Sequence, residues 1–385
     1  MKRLIFCPGI CQVVNASAAL VQHHSSAPQA AAREDILVLF GRGRDTAYGR
    51  VMQEIAESIK AWRKICWAEH VIVGHFPARR FAPIARDLLQ MQLGKADEIW
   101  VCKLAMGFTS AILYAFPEAE VVLYEDGAEE FIPQELTCGR DRWRTLKPSR
   151  WLGGIKREAS HWNKRPECME LDGVCTRELA RVNRFYSFLG QYLDVPDYLG
   201  AIPRIWLRRE VLTDCFRSVA ERFATERCAQ PPCCDNDRVA LFLPQPFATY
   251  FLTPEDEFTL YYRALLCLRD QGYTVLWKEH PQEVTPLAGQ LQERLGDDTL
   301  QVLKIRQLLP IECLVADWRL DAVIAVSSTS LLYLHGIYRY PAYTAAGMIS
   351  PDAWLQRSDL ELAKLFRRHV PELPQAAEYQ GVHVE

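Results

Sequence analysis

Three short polar clusters in this sequence contain residue types that can do chemistry, and each follows an apolar run. They are Glu125-Asp126-Gly127, His280-Pro281 and Ser327-Ser328-Thr329-Ser330. Paired carboxylates can supply a general base, a histidine can donate a proton to a leaving group, and hydroxyls can bind a phosphate. Because open α/β sheets bind ligands at the ends of their strands, the three clusters together predict group transfer from a nucleotide donor.

The carboxylate cluster follows the apolar residues 121–123. Gly127 permits a sharp turn of the backbone, which would leave a carboxylate at the edge of the sheet. Beside an acceptor hydroxyl, that carboxylate can remove the proton as the oxygen attacks. The alternative is that Glu125 or Asp126 caps the next helix or simply ends a strand.

The histidine follows a predicted strand over 274–277 and precedes Pro281. Proline restricts the preceding residue to extended geometry, so the His280 ring is expected beyond the strand end. An imidazole there can hydrogen-bond to a departing phosphate or protonate it. An ordinary turn is the alternative interpretation.

The hydroxyl cluster lies between a buried-type strand over 321–326 and a helix expected from Ser330 onward. Ser327 and Ser328 are therefore predicted at a helix N-terminus, where free amides and the helix dipole attract anions. Ordinary capping explains one serine but does not require four hydroxyl residues in a row. The cluster predicts a phosphate site.

Length and composition narrow the class of protein. A chain of 385 residues is expected to form two domains, and 49% hydrophobic with 24% charged residues suits a globular protein. A net charge of -3 does not indicate nucleic-acid binding. No apolar stretch approaches the ~20 residues that a membrane helix requires.

The cysteines indicate the compartment. There are 13 of them, without C-x-x-C pairs or histidine partners at zinc-finger spacing. An odd, unpatterned set is typical of a reducing environment, so we expect a cytoplasmic protein.

Apolar runs alternate with helical patterns in two series, which predicts two parallel sheets with crossover helices. The predicted strands of the first series are 4–7, 36–40, 71–73, 99–101 and 121–124, with helices through residue 20 and over 51–62. Those of the second series are 239–243, 274–277, 300–305 and 322–326. The expected fold is α/β, with two Rossmann-like domains facing each other across a cleft.

The alternation fails between about 131 and 235, where the sequence turns rich in Arg, Trp and Pro and then helical over 176–224. We expect an acceptor-side domain over 1–235, with a basic and aromatic insertion at about 131–175 and a helical connector. A nucleotide-sugar-binding domain is expected over 236–350. A helical tail over 351–385 either crosses back to the first domain or packs as a simple C-terminal helix.

The insertion is basic, and Trp143, Trp151 and Trp162 are interleaved with its cations. The residues expected at an acceptor or membrane surface are Arg142, Arg144, Lys147 and Arg150. Cations with interfacial aromatics suit an anionic glycan or the anionic face of the inner membrane. The alternative is a solvated charged loop.

The order of these motifs resembles that of the bacterial sialyltransferases and polysialyltransferases of GT-B fold. That family carries a D/E-D/E-G motif, an H-P motif and a serine pair in this order. Pro310-Ile311-Glu312 resembles its Pro-x-Glu element, and the run over 8–16 resembles its first strand-to-helix turn.

The resemblance implies a role for each matching residue. Glu125 would be the general base, with Asp126 as the fallback, and His280 would stabilise or protonate the departing CMP phosphate. The expected nucleotide- and phosphate-binding residues are Ser327, Ser328, Glu312 (through the ribose hydroxyls), Pro281, Gln245 and Pro244.

The resemblance further implies an inverting transfer of a sialic acid or related nonulosonic acid from its CMP donor to a glycan hydroxyl, in bacterial surface-glycan synthesis. No cofactor or metal is expected. The D-x-D-like element over 235–237 precedes a strand, which favours a linker over a Mn²⁺ site. Peripheral contact with the inner membrane is a further expectation.

Other functions stay open at the level of sequence. A CMP-Kdo-dependent transferase would share the architecture, and its donor would carry the same CMP group. A UDP-sugar epimerase or hydrolase on the same two-domain plan would need no acceptor. A nucleotide-sugar-binding assembly partner would need no catalytic carboxylate.

Overall fold

The computed structural model describes residues 1–26, 33–41, 43–68, 78–104, 107–134, 136–137, 174–224, 238–247, 252–280, 287–296, 299–303, 307–354, 357–374 and 376–379. The chain divides into two compact units. Unit 1 comprises Met1–Asp126, Pro133–Phe188 and Val195–Val211. Unit 2 comprises Gly127–Ile132, Leu189–Asp194 and Leu212–Glu385. The domain boundary predicted at 235 lies outside the described residues.

Unit 1 is built on a parallel sheet. Its strands are β1 (Lys2–Cys7), β2 (Glu34–Leu39), β3 (Lys64–Trp67), β4 (Glu98–Val101), β5 (Glu120–Tyr124), β6 (Leu136–Thr137), β7 (Val174–Cys175), β8 (Val182–Ser187) and β9 (Arg204–Trp206). In the described part of the unit, seven of them form one sheet in the order β3-β2-β1-β4-β5-β8-β9, and β6 pairs with β7. Every pairing among these strands is parallel.

The helices of unit 1 connect these strands. They are α1 (Ile10–Ser26), α2 (Ala47–Ile59), α3 (Ala78–Leu93), α4 (Gly107–Ala115), α5 (Thr176–Leu179) and α6 (Asp197–Gly200). The next helix, α7 (Arg209–Arg222), begins in unit 1 and continues into unit 2.

The centre of the first sheet follows from its sequence. Residues 4–7 of β1 are apolar and fully buried, as expected for a strand covered on both faces. The chain runs from β1 to one side of the sheet and then returns to β4 on the other. The carboxyl ends of β1 and β4 therefore flank the switch point of the sheet, and α1 begins three residues beyond β1.

A charged cluster is buried on unit 1's sheet. Arg3 on β1 pairs with Asp35 on β2 at 2.9 Å and also with Glu98 on β4. Arg184 on β8 pairs with the same Glu98. The His23 ring, near the end of α1, lies 3.1 Å from the Arg3 guanidinium. The cations and carboxylates alternate, which offsets part of the cost of their burial.

Unit 2 is built on a second parallel sheet. Its strands are β10 (Arg238–Leu243), β11 (Tyr273–Trp277), β12 (Leu300–Val302), β13 (Ala322–Ala325) and β14 (Ala342–Thr344). Its helices are α8 (Pro254–Asp270), α9 (Leu287–Leu295), α10 (Thr329–Tyr338), α11 (Arg357–His369) and α12 (Ala376–Tyr379). The strand order within its described residues is β12-β11-β10-β13-β14, with every pair parallel.

The core of unit 2 lies between this sheet and α8. Phe242 stacks on Trp277 with ring centroids 5.2 Å apart, and Tyr261 from α8 meets both rings edge-on. Thr253 caps the start of α8, since its hydroxyl accepts a hydrogen bond from the Asp256 amide. The switch point of this second sheet lies between β10 and β13.

The predicted α/β class is confirmed, but one long stretch was interpreted wrongly. Residues 176–224 are not continuously helical, because β8 and β9 lie within them and extend unit 1's sheet. The strand pattern of β8 is obscured by adjacent polar residues, and one of these, Arg184, is accommodated by its pairing with Glu98. The strand predicted over 71–73 lies outside the described residues, and β3 precedes it.

Another difference concerns the end of α2. The helix expected to reach residue 62 ends at Ile59, because Lys60 adopts a left-handed conformation with φ 53°.

The C-terminal tail forms α11 and α12, which belong to unit 2. The expected return of this tail to the first domain stays a prediction.

Candidate functional site

Glu125 follows β5 directly and is fully buried. Its Oε2 accepts hydrogen bonds from the Ser187 hydroxyl at 2.5 Å and from the Phe188 amide at 3.0 Å. Its backbone amide donates to the Tyr186 carbonyl at 3.0 Å. Both its main chain and its carboxylate are therefore fixed by the end of the neighbouring strand β8.

Asp126 is turned toward α1 and is partly exposed. Gln12 in the first turn of α1 donates to Asp126 Oδ1 at 2.7 Å. Asn15, three residues farther along α1, donates to the Glu125 carbonyl at 3.1 Å. Adjacent carboxylates are thus held by different elements, Glu125 by β8 and Asp126 by α1.

The third residue of the cluster, Gly127, lies in unit 2 and meets the hydroxyl cluster there. The amide of Ala128 donates to Thr329 Oγ1 at 3.0 Å. A Cβ at Gly127 would lie 3.0 Å from the same oxygen, closer than side chains ordinarily approach. The φ of 170° is ordinary extended backbone, so glycine is favoured here by the close approach and not by backbone strain.

The hydroxyl cluster is at the N-terminus of α10, which begins at Thr329 with Ser328 as its N-cap. The Ser327 amide and hydroxyl both donate to Gln245 Oε1, at 3.0 and 3.2 Å. This contact joins the end of β13 to the end of β10 across the switch point of the sheet. The Ser328 side chain makes no capping hydrogen bond, so its hydroxyl remains available to a ligand beside the helix N-terminus.

Glu312 lies in the short 3₁₀ helix Ile311–Cys313 and is 2% exposed. Burial raises the pKa of its carboxyl, against the opposing effects of a hydrogen bond from Ser330 and the charge of Lys278. Glu312 Oε2 is buried without a hydrogen-bond partner. An unpartnered buried carboxylate oxygen is costly in a folded protein, and it can accept a hydrogen bond from a ligand.

His280 is half-buried three residues beyond the end of β11. Lys278, directly after β11, is 8% exposed and donates to the Gln307 carbonyl at 3.2 Å. The Gln307 amide in turn donates to Glu279 at 2.5 Å. Residues 278–280 are therefore anchored to Gln307, on the loop that leads to Glu312.

The predicted site residues are thus placed in two groups. Unit 1 holds Glu125 and Asp126 at the carboxyl end of β5. Unit 2 joins Gln245 to Ser327 and contains Glu312 with its Ser330 partner; Pro244 is buried directly after β10, and His280 follows the adjacent β11. Outside the described residues lie Pro281, Arg142, Arg144, Lys147, Arg150 and the D-x-D-like element over 235–237.

Several residues of the site were missed at the level of sequence. Ser187 lies in the stretch interpreted as helix, and Gln12 had no assigned role. Lys278 could have been found, because a lysine directly at the carboxyl end of a buried strand lies where such sheets bind ligands. Thr329 and Ser330 have separate partners, Ala128 and Glu312, and the local sequence around these two hydroxyls gives no signal for either.

Two properties of the described residues concern metals and membranes. Across the described residues, no group of three or more His, Cys, Asp or Glu side chains is arranged to hold a metal ion. No helix in the same part of the chain is long and apolar enough to cross a membrane.

Solved structures resemble the whole chain. A UDP-GlcNAc 2-epimerase from Neisseria meningitidis bound to UDP-GlcNAc is 13% identical, with a TM-score of 0.52, and the match covers 99% of this chain and 93% of that one. The UDP-GlcNAc 2-epimerase from Methanocaldococcus jannaschii is 10% identical, with a TM-score of 0.51 and coverages of 89% and 83%. At these identities the likeness shows the fold, and the predicted GT-B type is confirmed.

The GT-B domain of a sialyltransferase from Photobacterium damselae also matches, with 11% identity, a TM-score of 0.46 and coverages of 95% and 96%. A comparison with curated proteins returned no match. The sequence profile of the alpha-2,8-polysialyltransferase (POLYST) family matches residues 3–346. The chain therefore belongs to the alpha-2,8-polysialyltransferase family and is a glycosyltransferase of the sialyltransferase type.

Proposed function

We propose that this glycosyltransferase moves a sialic acid, or a related nonulosonic acid, from its CMP donor to a glycan hydroxyl with inversion and without a metal. The observation that supports this most directly is the buried Glu312 with its unpartnered Oε2, in the same unit as the open hydroxyl of Ser328. The name of the family supports sialic acid as the transferred sugar.

Glu312 and the N-terminus of α10 have the chemistry needed to bind the nucleotide part of the donor. An ionised carboxylate accepts hydrogen bonds from vicinal ribose hydroxyls, which would satisfy Glu312 Oε2. The N-terminus of α10 supplies amides and a favourable dipole for the phosphate, and Ser328 adds a hydroxyl donor. Gln245 and Pro244 follow β10 at the switch point, where the cytosine is expected.

The base in this proposal is Glu125. As the acceptor oxygen attacks the anomeric carbon, its proton passes to the Glu125 carboxylate, and the bond between that carbon and the CMP phosphate oxygen breaks. His280 donates a hydrogen bond or proton to the departing phosphate. One displacement through an oxocarbenium-like transition state inverts the anomeric configuration.

Glu125 is favoured over Asp126 because its carboxylate is the more firmly oriented of the two. Two donors, one at the end of β8 and one directly after it, hold a single oxygen, and water is excluded from the fully buried side chain. A preorganised carboxylate loses little by reorganisation when the proton arrives. Asp126 is partly exposed and is held by Gln12.

The proposed acceptor site is argued from the sequence alone, because its residues lie outside those that the structure describes. Arg142, Arg144, Lys147 and Arg150 are proposed to bind an anionic glycan or the anionic inner-membrane surface, from a cytoplasmic location. Either contact would weaken as salt rises, because exposed charges are screened beyond ~10 Å at 0.1 M ionic strength. Equal retention on anionic liposomes and on a polysialylated matrix at 50 and 500 mM salt would contradict an electrostatic role.

The donor is tested by ligand-induced thermal shifts with CMP, CDP, UDP and GDP. We expect CMP to stabilise the protein most, and Glu312→Gln and Ser328→Ala to reduce that shift. Selective stabilisation by UDP would overturn the proposal in favour of a UDP-sugar enzyme. Transfer from CMP-sialic acid to a sialylated acceptor, measured with and without EDTA, then tests the reaction and its independence of metal.

A further inference from the structure

We propose that Ser187 is a positioning residue for Glu125: its hydroxyl sets the orientation and protonation of the base carboxylate. The inference deepens the proposed function and depends on Glu125 being the base. The observation that supports it is a hydrogen bond of 2.5 Å, donated by Ser187 Oγ to Glu125 Oε2.

Ser187 is itself rigidly held. It ends β8, its side chain is fully buried, and its carbonyl accepts a hydrogen bond from the Leu207 amide at 2.8 Å. The pairing of β8 with β5 brings this strand end beside Glu125, whose amide bonds to the Tyr186 carbonyl. The hydroxyl is therefore a fixed donor, and the carboxylate must conform to it.

A second donor, directly after β8, acts on the same carboxylate oxygen. The Phe188 amide reaches Glu125 Oε2 at 3.0 Å, from the next residue along the chain. Two convergent donors define both the position of the oxygen and the plane of the carboxylate. Loss of the Ser187 hydroxyl would remove one of these two donors and loosen the orientation of the carboxylate.

The hydroxyl also affects the charge of the base. A hydrogen bond donated to a carboxylate stabilises the ionised form, which is the form that accepts a proton. Without Ser187, Glu125 would stay protonated to higher pH, and less of the enzyme would hold a competent base. The acid limb of the pH–rate profile should then move to higher pH, an effect that a purely structural serine would not produce.

The test compares Ser187→Ala with Ser17→Ala. Ser17 is a matched control, since it is a fully buried serine of unit 1 whose hydroxyl donates to the Val13 carbonyl within α1. For Ser187→Ala we expect kcat to fall roughly tenfold to hundredfold, as for the loss of a hydrogen bond to a charged group. The KM for the CMP donor should change by less than about twofold, because uniform donor binding is not removed.

Two further variants keep the test decisive if Ser187→Ala folds poorly. Ser187→Cys keeps the volume with a much weaker donor and should reproduce the loss of kcat. Ser187→Thr keeps the hydroxyl, so its pH–rate profile should match that of the native protein. Thermal unfolding of each variant separates a loss of folded protein from a loss of rate.

The outcomes distinguish this inference from the function on which it depends. If Glu125→Gln transfers sialic acid at a near-native rate, the assignment of the base is wrong. If Glu125→Gln is inactive while Ser187→Ala matches Ser17→Ala in kcat and pH profile, only the role of Ser187 is refuted.

Discussion

The amide of Ala128 donates a hydrogen bond to Thr329 Oγ1 at 3.0 Å, although the two residues are 201 positions apart in the chain. Ala128 adjoins the carboxylate cluster, and Thr329 is the first residue of α10. Within unit 2, the residue that follows Gly127 is therefore in direct contact with the hydroxyl cluster. The contact also explains why a glycine occupies position 127, where a Cβ would press on the same hydroxyl.

This packing predicts a non-additive pair of mutations. Thr329→Ala leaves the buried Ala128 amide without its acceptor and should lower the free energy of unfolding by about 1–3 kcal/mol. Gly127→Ala should cost about 1–3 kcal/mol through overpacking in the native background, and less in the Thr329→Ala background. Denaturant unfolding of the four proteins measures the coupling, and strict additivity within ~0.3 kcal/mol would contradict it.

The adjacent serines should behave differently from one another. Ser327→Ala removes a donor to Gln245 and should lower the thermal stability of the free protein with a modest effect on CMP binding. Ser328→Ala should leave the Tm of the free protein nearly unchanged and weaken CMP binding about tenfold or more, as for a lost hydrogen bond to a charged group. Calorimetric titration and thermal unfolding of both variants separate the effects, and a reversed pattern would mean that Ser327 is the phosphate ligand.

The elements that carry the carboxylate and hydroxyl clusters could be predicted from local sequence. The apolar runs of β5 and β13 are continuous, since both strands are buried in the middle of their sheets. A polar cluster directly after such a strand must lie at the sheet edge. This placement follows from strand geometry alone.

β8 could not be predicted in the same way, and Ser187 was missed with it. Arg184 interrupts the apolar pattern of the strand and is tolerated because Glu98 from β4 neutralises it. The sequence near residue 184 does not reveal that partner. The different partners of Ser327, Thr329 and Ser330 likewise depend on residues brought together only by the fold.

Glu312 should limit stability while it supports binding. Its pKa is raised from the ordinary value of 4.5 by burial, so the folded protein holds this proton more tightly than the unfolded chain. The stability associated with the protonated carboxyl is present below pH 4.5 and is lost as pH rises through the higher folded pKa. Glu312→Gln should therefore raise the free energy of unfolding at pH 7 by on the order of 1 kcal/mol and bring no gain at pH 4.

The same variant should bind CMP more weakly at pH 7, because the amide offers the ribose one acceptor oxygen in place of a carboxylate. Unfolding at pH 4 and pH 7, with and without CMP, measures both effects. A variant that is destabilised at pH 7 yet binds CMP normally would show that Glu312 is a structural residue.

His23 predicts a pH-dependent contribution to the stability of unit 1. Burial, followed by the positive charges of Arg3 and Arg184, lowers the pKa of His23 from 6.5 to about 4. Between these two values the unfolded chain binds a proton that the folded protein does not, so stability falls as pH decreases from 6.5 toward 4. His23→Gln should reduce the slope of the free energy of unfolding against pH in this range, by up to the amount that one bound proton contributes. The values at pH 7.5 serve as the internal reference. Chemical unfolding at half-unit pH intervals measures the slope, and equal slopes in both proteins would show that folding does not change the pKa of His23.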